Sequence, residues 1–260
     1  LPENESQWFD HPDKKPSLMG RTHLIQLLVS APTESTALVN DISLLIDDAS
    51  IDVISEEIFE DRDWIQYSKK QFTEIIISNR LRIIPPWIPD KGFSGETIMI
   101  EPGSGFGIGS HPTTQLCIRW LEDQISMNDT VLDYGCGSGI LSIISKTLGA
   151  KKVIGIDNDH QALRNAERNK QLNSMEIDFF HTDNYQGSLK YDIVIANILL
   201  NTIIGLKKTL ISSLNPNGIL ILTGILKDQA IELIRGFSPE INLSIIEEQE
   251  GWLLFQGKNS

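Results

Sequence analysis

From residue 129 onward, short β-branched runs alternate with stretches whose apolar residues recur every three or four positions. The first pattern fits a strand buried on both faces, the second an amphipathic helix. In order they predict strand 131–133, helix 140–148, strand 153–156, helix 161–171, strands 177–180 and 193–196, and helix 200–214. Strand 219–223, helix 227–236 and strands 244–247 and 252–256 complete the series. Such alternation makes an α/β fold: a doubly wound, Rossmann-like sheet of seven mainly parallel strands. Ligands of such sheets bind beyond the carboxyl ends of the strands, where strand order reverses.

The pattern is weaker upstream. Residues 1–20 are polar, with Pro2, Pro12 and Pro16, and read as an extended lead-in. Residues 22–29 read as a strand, 34–46 as a helix carrying Leu38, Ile42 and Leu45 on one face, and 51–54 as a short strand. A unit this small buries a marginal core, so 1–58 is expected to be a small α+β domain leaning on another. Segment 59–73 reads as a linker containing a helix over 60–72, and 74–260 as the main domain. Pro85, Pro86, Pro89, Gly92 and Gly95 punctuate a turn-rich stretch before strand 97–100. A glycine-rich loop, 102–109, leads through His111-Pro112-Thr113-Thr114 to a helix over 115–124.

Charge narrows the function. The 260 residues carry 22 Lys+Arg against 35 Asp+Glu, a net charge of −13. Polyanion binding depends on neutralising phosphates, so this balance argues against direct nucleic-acid binding. Nine acids and one base, Arg62, lie between Asp41 and Asp63, which is either a solvated face or a docking surface for a basic protein. No apolar stretch approaches the roughly 18 residues that a membrane helix needs. The acidic start lacks the features of a signal peptide, so the expected location is cytoplasmic. Two cysteines, Cys117 and Cys136, are too few for a thiolate metal site, and the five histidines are scattered; no metal is expected.

The strongest local signal is Val131-Leu132-Asp133-Tyr134-Gly135-Cys136-Gly137-Ser138-Gly139-Ile140, with Asp157 22 residues after Gly135 at the end of the next strand. Glycines let backbone approach a ligand closely, and an acid at the second strand tip can accept both ribose hydroxyls. The arrangement reads as nucleoside binding. A dinucleotide fingerprint would place its third glycine or alanine at position 140, which is isoleucine here, so NAD and FAD are disfavoured. Cys136 has no His or Lys nearby in sequence to activate it and reads as a small loop residue. The spacing of Asp133, Gly135, Gly137, Gly139 and Asp157 resembles motif I and its acidic successor in the S-adenosylmethionine-dependent methyltransferases. That resemblance makes Asp183, past the third strand, the partner of the adenine amino group; a solvated turn residue is the alternative.

The fourth strand ends Asn197-Ile198-Leu199-Leu200. An Asn at this tip can aim its amide at cofactor or incoming amine, or simply cap the next helix. Methyltransferases of base amines usually carry two prolines and a stacking aromatic after this position. Ile198, Leu199 and Leu200 offer a flipped base no stacking partner, and an aliphatic amine fits better.

The whole pattern resembles the PrmA family, bacterial methyltransferases of large-subunit ribosomal protein eleven. The segment Glu101-Pro102-Gly103-Ser104-Gly105-Phe106-Gly107-Ile108-Gly109-Ser110-His111-Pro112-Thr113-Thr114 is similar to that family's signature, as are Asn197-Ile198-Leu199 and Thr223-Gly224-Ile225-Leu226. The resemblance covers residues 60–260 well. It implies S-adenosylmethionine as cofactor, with contacts from Thr114, Gly135, Asp157 and Asn197, and with Gly137 in the same loop. Phe106 would close over the methionine end. It implies methyl transfer to lysine or N-terminal amines of the ribosomal protein, with Asn197 as the candidate catalytic residue in a positioning role. Gly105 and Ile108 depart from the family's usual Ala and Thr. The family's small recognition domain is ferredoxin-like, and its first strand and helix are expected to be absent here. Two rival readings are a lysine methyltransferase of another protein and a protein that holds the cofactor without using it.

Overall fold

The computed structural model describes residues 34–45, 51–56, 72–103, 107–187 and 189–259. The chain divides into two units, Leu1–Gln71 and Phe72–Ser260. In the first, helix α1 spans Ser35–Leu45, as its apolar spacing predicts. The expected strand at 51–54 is not formed: residues 51–56 are irregular, and Ile54 is 79% exposed. A strand needs a neighbour to pair its amides, and none pairs with it among the described residues. The expected strand at 22–29, and the linker helix apart from Phe72, lie outside the described residues.

The second unit opens with a three-stranded sheet in which β1 (Ile75–Ile76) pairs antiparallel with β2 (Leu81–Ile84) and β2 pairs parallel with β3 (Glu96–Met99). Leu81 and Ile83 point into the core with Ile98 and Ile100. Arg82, on the opposite face, is held by Glu74, Asp90, Thr97 and the Lys91 carbonyl. Helix α2 (Pro112–Gln124) follows. It starts at Pro112 rather than at residue 115 because His111 caps it, its Nδ1 accepting from the Thr113 N–H at 3.3 Å.

Then come β4 (Thr130–Tyr134), α3 (Ile140–Thr147), β5 (Lys152–Asp157), α4 (His160–Leu172), β6 (Asp178–His181), β7 (Tyr191–Asn197), α5 (Leu200–Ser212), β8 (Leu214–Leu226), α6 (Ala230–Phe237), β9 (Leu243–Gln249) and β10 (Trp252–Lys258). The strands form one sheet in the order β6-β5-β4-β7-β8-β10-β9. All neighbours from β6 to β8 are parallel, and β10 runs antiparallel between β8 and β9. Alternate side chains feed two cores. Val131, Val153 and Ile195 pack under α2 and α3, whereas Leu132, Ile154 and Val194 pack under α5 and α6. The chain winds outward from β4 through β5 to β6, then returns to β7 on the other side of β4. That reversal opens a crevice at the carboxyl ends of β4 and β7. Among the described residues no helix is long and apolar enough to cross a membrane.

Candidate nucleoside and methyl-transfer site

Each predicted strand-tip residue lies at the carboxyl edge of this sheet. Beyond β4 the chain turns sharply at Gly135, whose φ is 79°. The N–H groups of Gly135 and Cys136 both donate to the Ile156 carbonyl, at 2.7 and 2.9 Å, fastening the turn to β5. A Cβ on Gly135 would overlap the Ile198 side chain. Asp157, ending β5, holds the same loop: its Oδ2 accepts from the Gly137 N–H at 2.8 Å and its Oδ1 from the Asp159 N–H at 3.0 Å. Each carboxylate oxygen keeps a lone pair for a ligand hydroxyl.

On the next tip, Asp183 lies in the short 3-10 turn Thr182–Asn184 after β6. It is two residues past His181, the register partner of Asp157. Its side chain is 86% exposed and lies 3.4 Å from His181 Nδ1. His181 Nε2 is 2.9 Å from the Asn158 carbonyl, which can only accept, so this nitrogen carries the proton. Its Nδ1 then accepts from the Asp183 N–H at 3.3 Å. Gly135, Asp157 and Asp183 thus occupy successive tips.

Across the crevice, Asn197 ends β7. Its Nδ2 donates to Thr114 Oγ1 at 3.4 Å, joining residues 83 apart in sequence. Thr114 is fully buried in the first turn of α2. Asn197 Oδ1 accepts no hydrogen bond among the described residues and remains available as an acceptor. The turn after Asn197 rests on Gly224, whose φ is 88° and where any Cβ would overlap the Ile198 carbonyl. Leu199, two residues past Asn197, is 47% exposed. Phe106, the remaining predicted contact, lies outside the described residues.

Beneath the loop, Asp133 is 1% exposed and accepts from Ser142 Oγ at 2.7 Å. Burial pushes its carboxyl up to about 7, against the pull of the Ser142 bonds and with a smaller push from Asp157. The Cys136 thiol is buried and pushed well above its ordinary range, which suits an inert loop residue.

Sequence reasoning does not single out Ser142 or Asn169, and it meets His111 only as part of a motif. His111, besides capping α2, meets Trp252 edge-to-face with ring centroids 5.1 Å apart. Its signal is the His-Pro-Thr-Thr run itself. Asn169 is fully buried on α4 and bridges the glycine loop to the segment after β3.

The sequence and the fold that bring this glycine turn, two acids and an amide to separate strand tips have clear parallels among known proteins. The model of the family described as ribosomal protein L11 methyltransferase (PrmA) matches residues 2–260. A relative of that name from Chromobacterium violaceum is 40% identical over 223 residues, covering 84% of this chain and 74% of the relative. One from Paraburkholderia phymatum is 35% identical over 260 residues, covering 98% and 85%. The crystal structure of a ribosomal protein L11 methylase from Lactobacillus delbrueckii superposes with a TM-score of 0.67 at 30% identity, covering 73% of this chain and all of that one. The match extends over both the fold and the site-bearing segments, and the chain belongs to the ribosomal protein L11 methyltransferase (PrmA) family.

Proposed function

We propose that this protein transfers methyl groups from S-adenosylmethionine to lysine or N-terminal amines of ribosomal protein L11. The observation that carries the reading is the meeting of Asn197 and Thr114 across the crevice from the Gly135 turn and Asp157. The residues suit an adenosyl ligand without a diphosphate. Ile140 follows the glycine loop directly, and Asp157 offers acceptors where a ribose would lie.

When bound, the cofactor supplies an electrophilic methyl group on a sulfonium. The chain's own part is to hold and aim. Asp157 orders the glycine turn and would accept from the ribose hydroxyls, Asp183 would receive the adenine amino group, and the family resemblance assigns Phe106 to the methionine end. Thr114 fixes the Asn197 amide with its carbonyl oxygen toward the crevice. That oxygen accepts one N–H of the incoming amine and so turns the nitrogen lone pair toward the methyl group. Positioning of this kind, with reacting atoms about 3 to 3.5 Å apart, lowers the barrier without a group that takes a proton. Asn197 cannot act as a base, so the amine must arrive neutral. At pH 7 this costs roughly 4 to 5 kcal/mol for a lysine and about 1 to 1.5 for an α-amine. The rate under subsaturating protein substrate should therefore rise about tenfold per pH unit below the amine's pKa. A flat profile between pH 7 and 9 with a lysine target would mean that a base has been overlooked.

The domains divide the work in this reading. Residues 74–260 carry cofactor and chemistry, 59–73 link, and 1–58 recognise the basic substrate. The partner is a protein, neither nucleic acid nor membrane, and the setting is the cytoplasm where ribosomes are made. Incubation with purified L11 and cofactor, followed by intact-mass measurement and peptide mapping, tests the proposal. Methylene-sized mass increments on amines are expected, and their absence with active cofactor binding would overturn it. Asp157→Ala should weaken cofactor binding about tenfold or more, since bonds to a charged acceptor contribute about 1.5 to 3 kcal/mol. Calorimetric titration checks this, and an unchanged Kd would remove Asp157 from the site.

A further inference from the structure

Asn165 and Asn169 on α4, and Asn173 that caps its C-terminus, recur every fourth residue and line one side of the helix. That face does what a neighbouring strand would do for residues 99–101. Asn173 Oδ1 accepts from the Met99 N–H at 2.8 Å and its Nδ2 donates to the Met99 carbonyl at 2.7 Å. Asn169 Oδ1 accepts from the Glu101 N–H at 2.8 Å, and Asn165 Nδ2 donates to the Glu101 carbonyl at 3.1 Å. On its other side the Ile100 N–H donates to the Ile84 carbonyl of β2 at 2.9 Å. The segment is thus held between a strand and three amides.

Asn169 differs from its two neighbours. Its Nδ2 donates to the Ser138 carbonyl at 2.9 Å, inside the glycine loop, so one fully buried amide ties the loop to the segment after β3. Ser138 contributes a second tie, its hydroxyl donating to the Gly107 carbonyl. Helix and loop approach closely here. A Cβ on Gly139 would lie 3.0 Å from that of Ala166, the residue just under one turn before Asn169.

We infer that Asn169 is a positioning residue for cofactor binding, fixing the Gly135–Gly139 turn through the Ser138 carbonyl, whereas Asn173, with the same chemistry one turn on, serves stability alone. The inference builds on the reading of that turn as the adenosyl site. Without the Asn169 amide the Ser138 carbonyl is buried without its donor, and the turn is free to shift the N–H groups and the Asp157 carboxylate that the ligand meets.

The test compares Asn169→Leu with Asn173→Leu by thermal unfolding and by calorimetric titration with S-adenosylmethionine. Both variants should unfold at lower temperature. Asn169→Leu should also bind the cofactor about tenfold more weakly, the loss expected for one buried hydrogen bond with its partner left unsatisfied, while Asn173→Leu keeps the wild-type Kd. If Asn169→Leu does not fold, Asn169→Ser, too short to bridge both partners, takes its place. Equal affinity of the Asn169 variant and wild type, or equal weakening by both variants, would overturn the inference. Failure of the wild-type protein to bind the cofactor would instead overturn the assignment of the site.

Discussion

Asn197→Ala is expected to lower kcat about a hundredfold while changing cofactor affinity by less than about threefold. The asymmetry follows from where the amide lies. Its Nδ2 is used on Thr114 Oγ1, and its Oδ1 is left as an acceptor without a partner among the described residues. Removing it leaves the glycine turn, the Ile156 carbonyl clasp and the Asp157 bonds in place. What is lost is the direction of the amine, and a misplacement of about 1 Å can cost about 10²-fold in rate. Single-turnover methylation of L11 with saturating cofactor, alongside a binding titration, separates the two quantities. An equal fall in both would make Asn197 a cofactor ligand rather than an aiming group. Asp at this position would accept in the same way, so Asn197→Asp should retain more activity than the alanine variant.

Asp133→Asn should change the pH dependence of stability, with the larger effect at higher pH. In the folded chain the Asp133 carboxyl is pushed up to about 7 from an ordinary value of 3.8. The folded state therefore holds a proton that the unfolded chain releases. This contribution is fully present below pH 3.8 and is lost as pH rises through about 7. The carboxamide has no charge to bury and still offers an oxygen to Ser142. Between those limits the variant should gain on the wild type by up to about 4 kcal/mol, reached above pH 7. Thermal melts at pH 4, 6 and 8 check the sign. A variant that is less stable at pH 8 than at pH 4, relative to wild type, would mean that the ionised carboxylate is stabilised by a partner not accounted for.

The doubly wound sheet is legible because its central strands are runs of β-branched or other apolar residues buried on both faces, an unambiguous pattern next to helical spacing. Of the three-stranded sheet only the last strand is legible, expected at 97–100 and formed at Glu96–Met99. Its central strand, Leu81–Ile84, has a buried arginine in its middle, paired with Glu74 and Asp90, and Pro85 and Pro86 directly after it read as turn. Its parallel partner β3 begins twelve residues beyond Ile84, so no hairpin signal links the two. Conversely, 51–54 has strand composition but no neighbour among the described residues.

The site divides along the same line. Glycines, an acid and an amide at strand tips announce themselves by spacing and position, which makes Gly135, Gly137, Asp157 and Asn197 visible in sequence. Asn165, Asn169 and Asn173 carry no such signal, because an amide that serves backbone groups looks the same in sequence as one that serves water. His111 is visible as part of a motif, yet its capping bond and its contact with Trp252 depend on tertiary geometry.

Ile198 occupies the space that a side chain would need at two glycines, its own side chain over Gly135 and its carbonyl over Gly224. The turn that carries the Asn197 amide consequently leaves no room for a side chain at either glycine. Anyone seeking to admit a bulkier nucleophile would begin there, trimming the isoleucine, since enlarging either glycine pushes the reactive tip out of line before it makes any room.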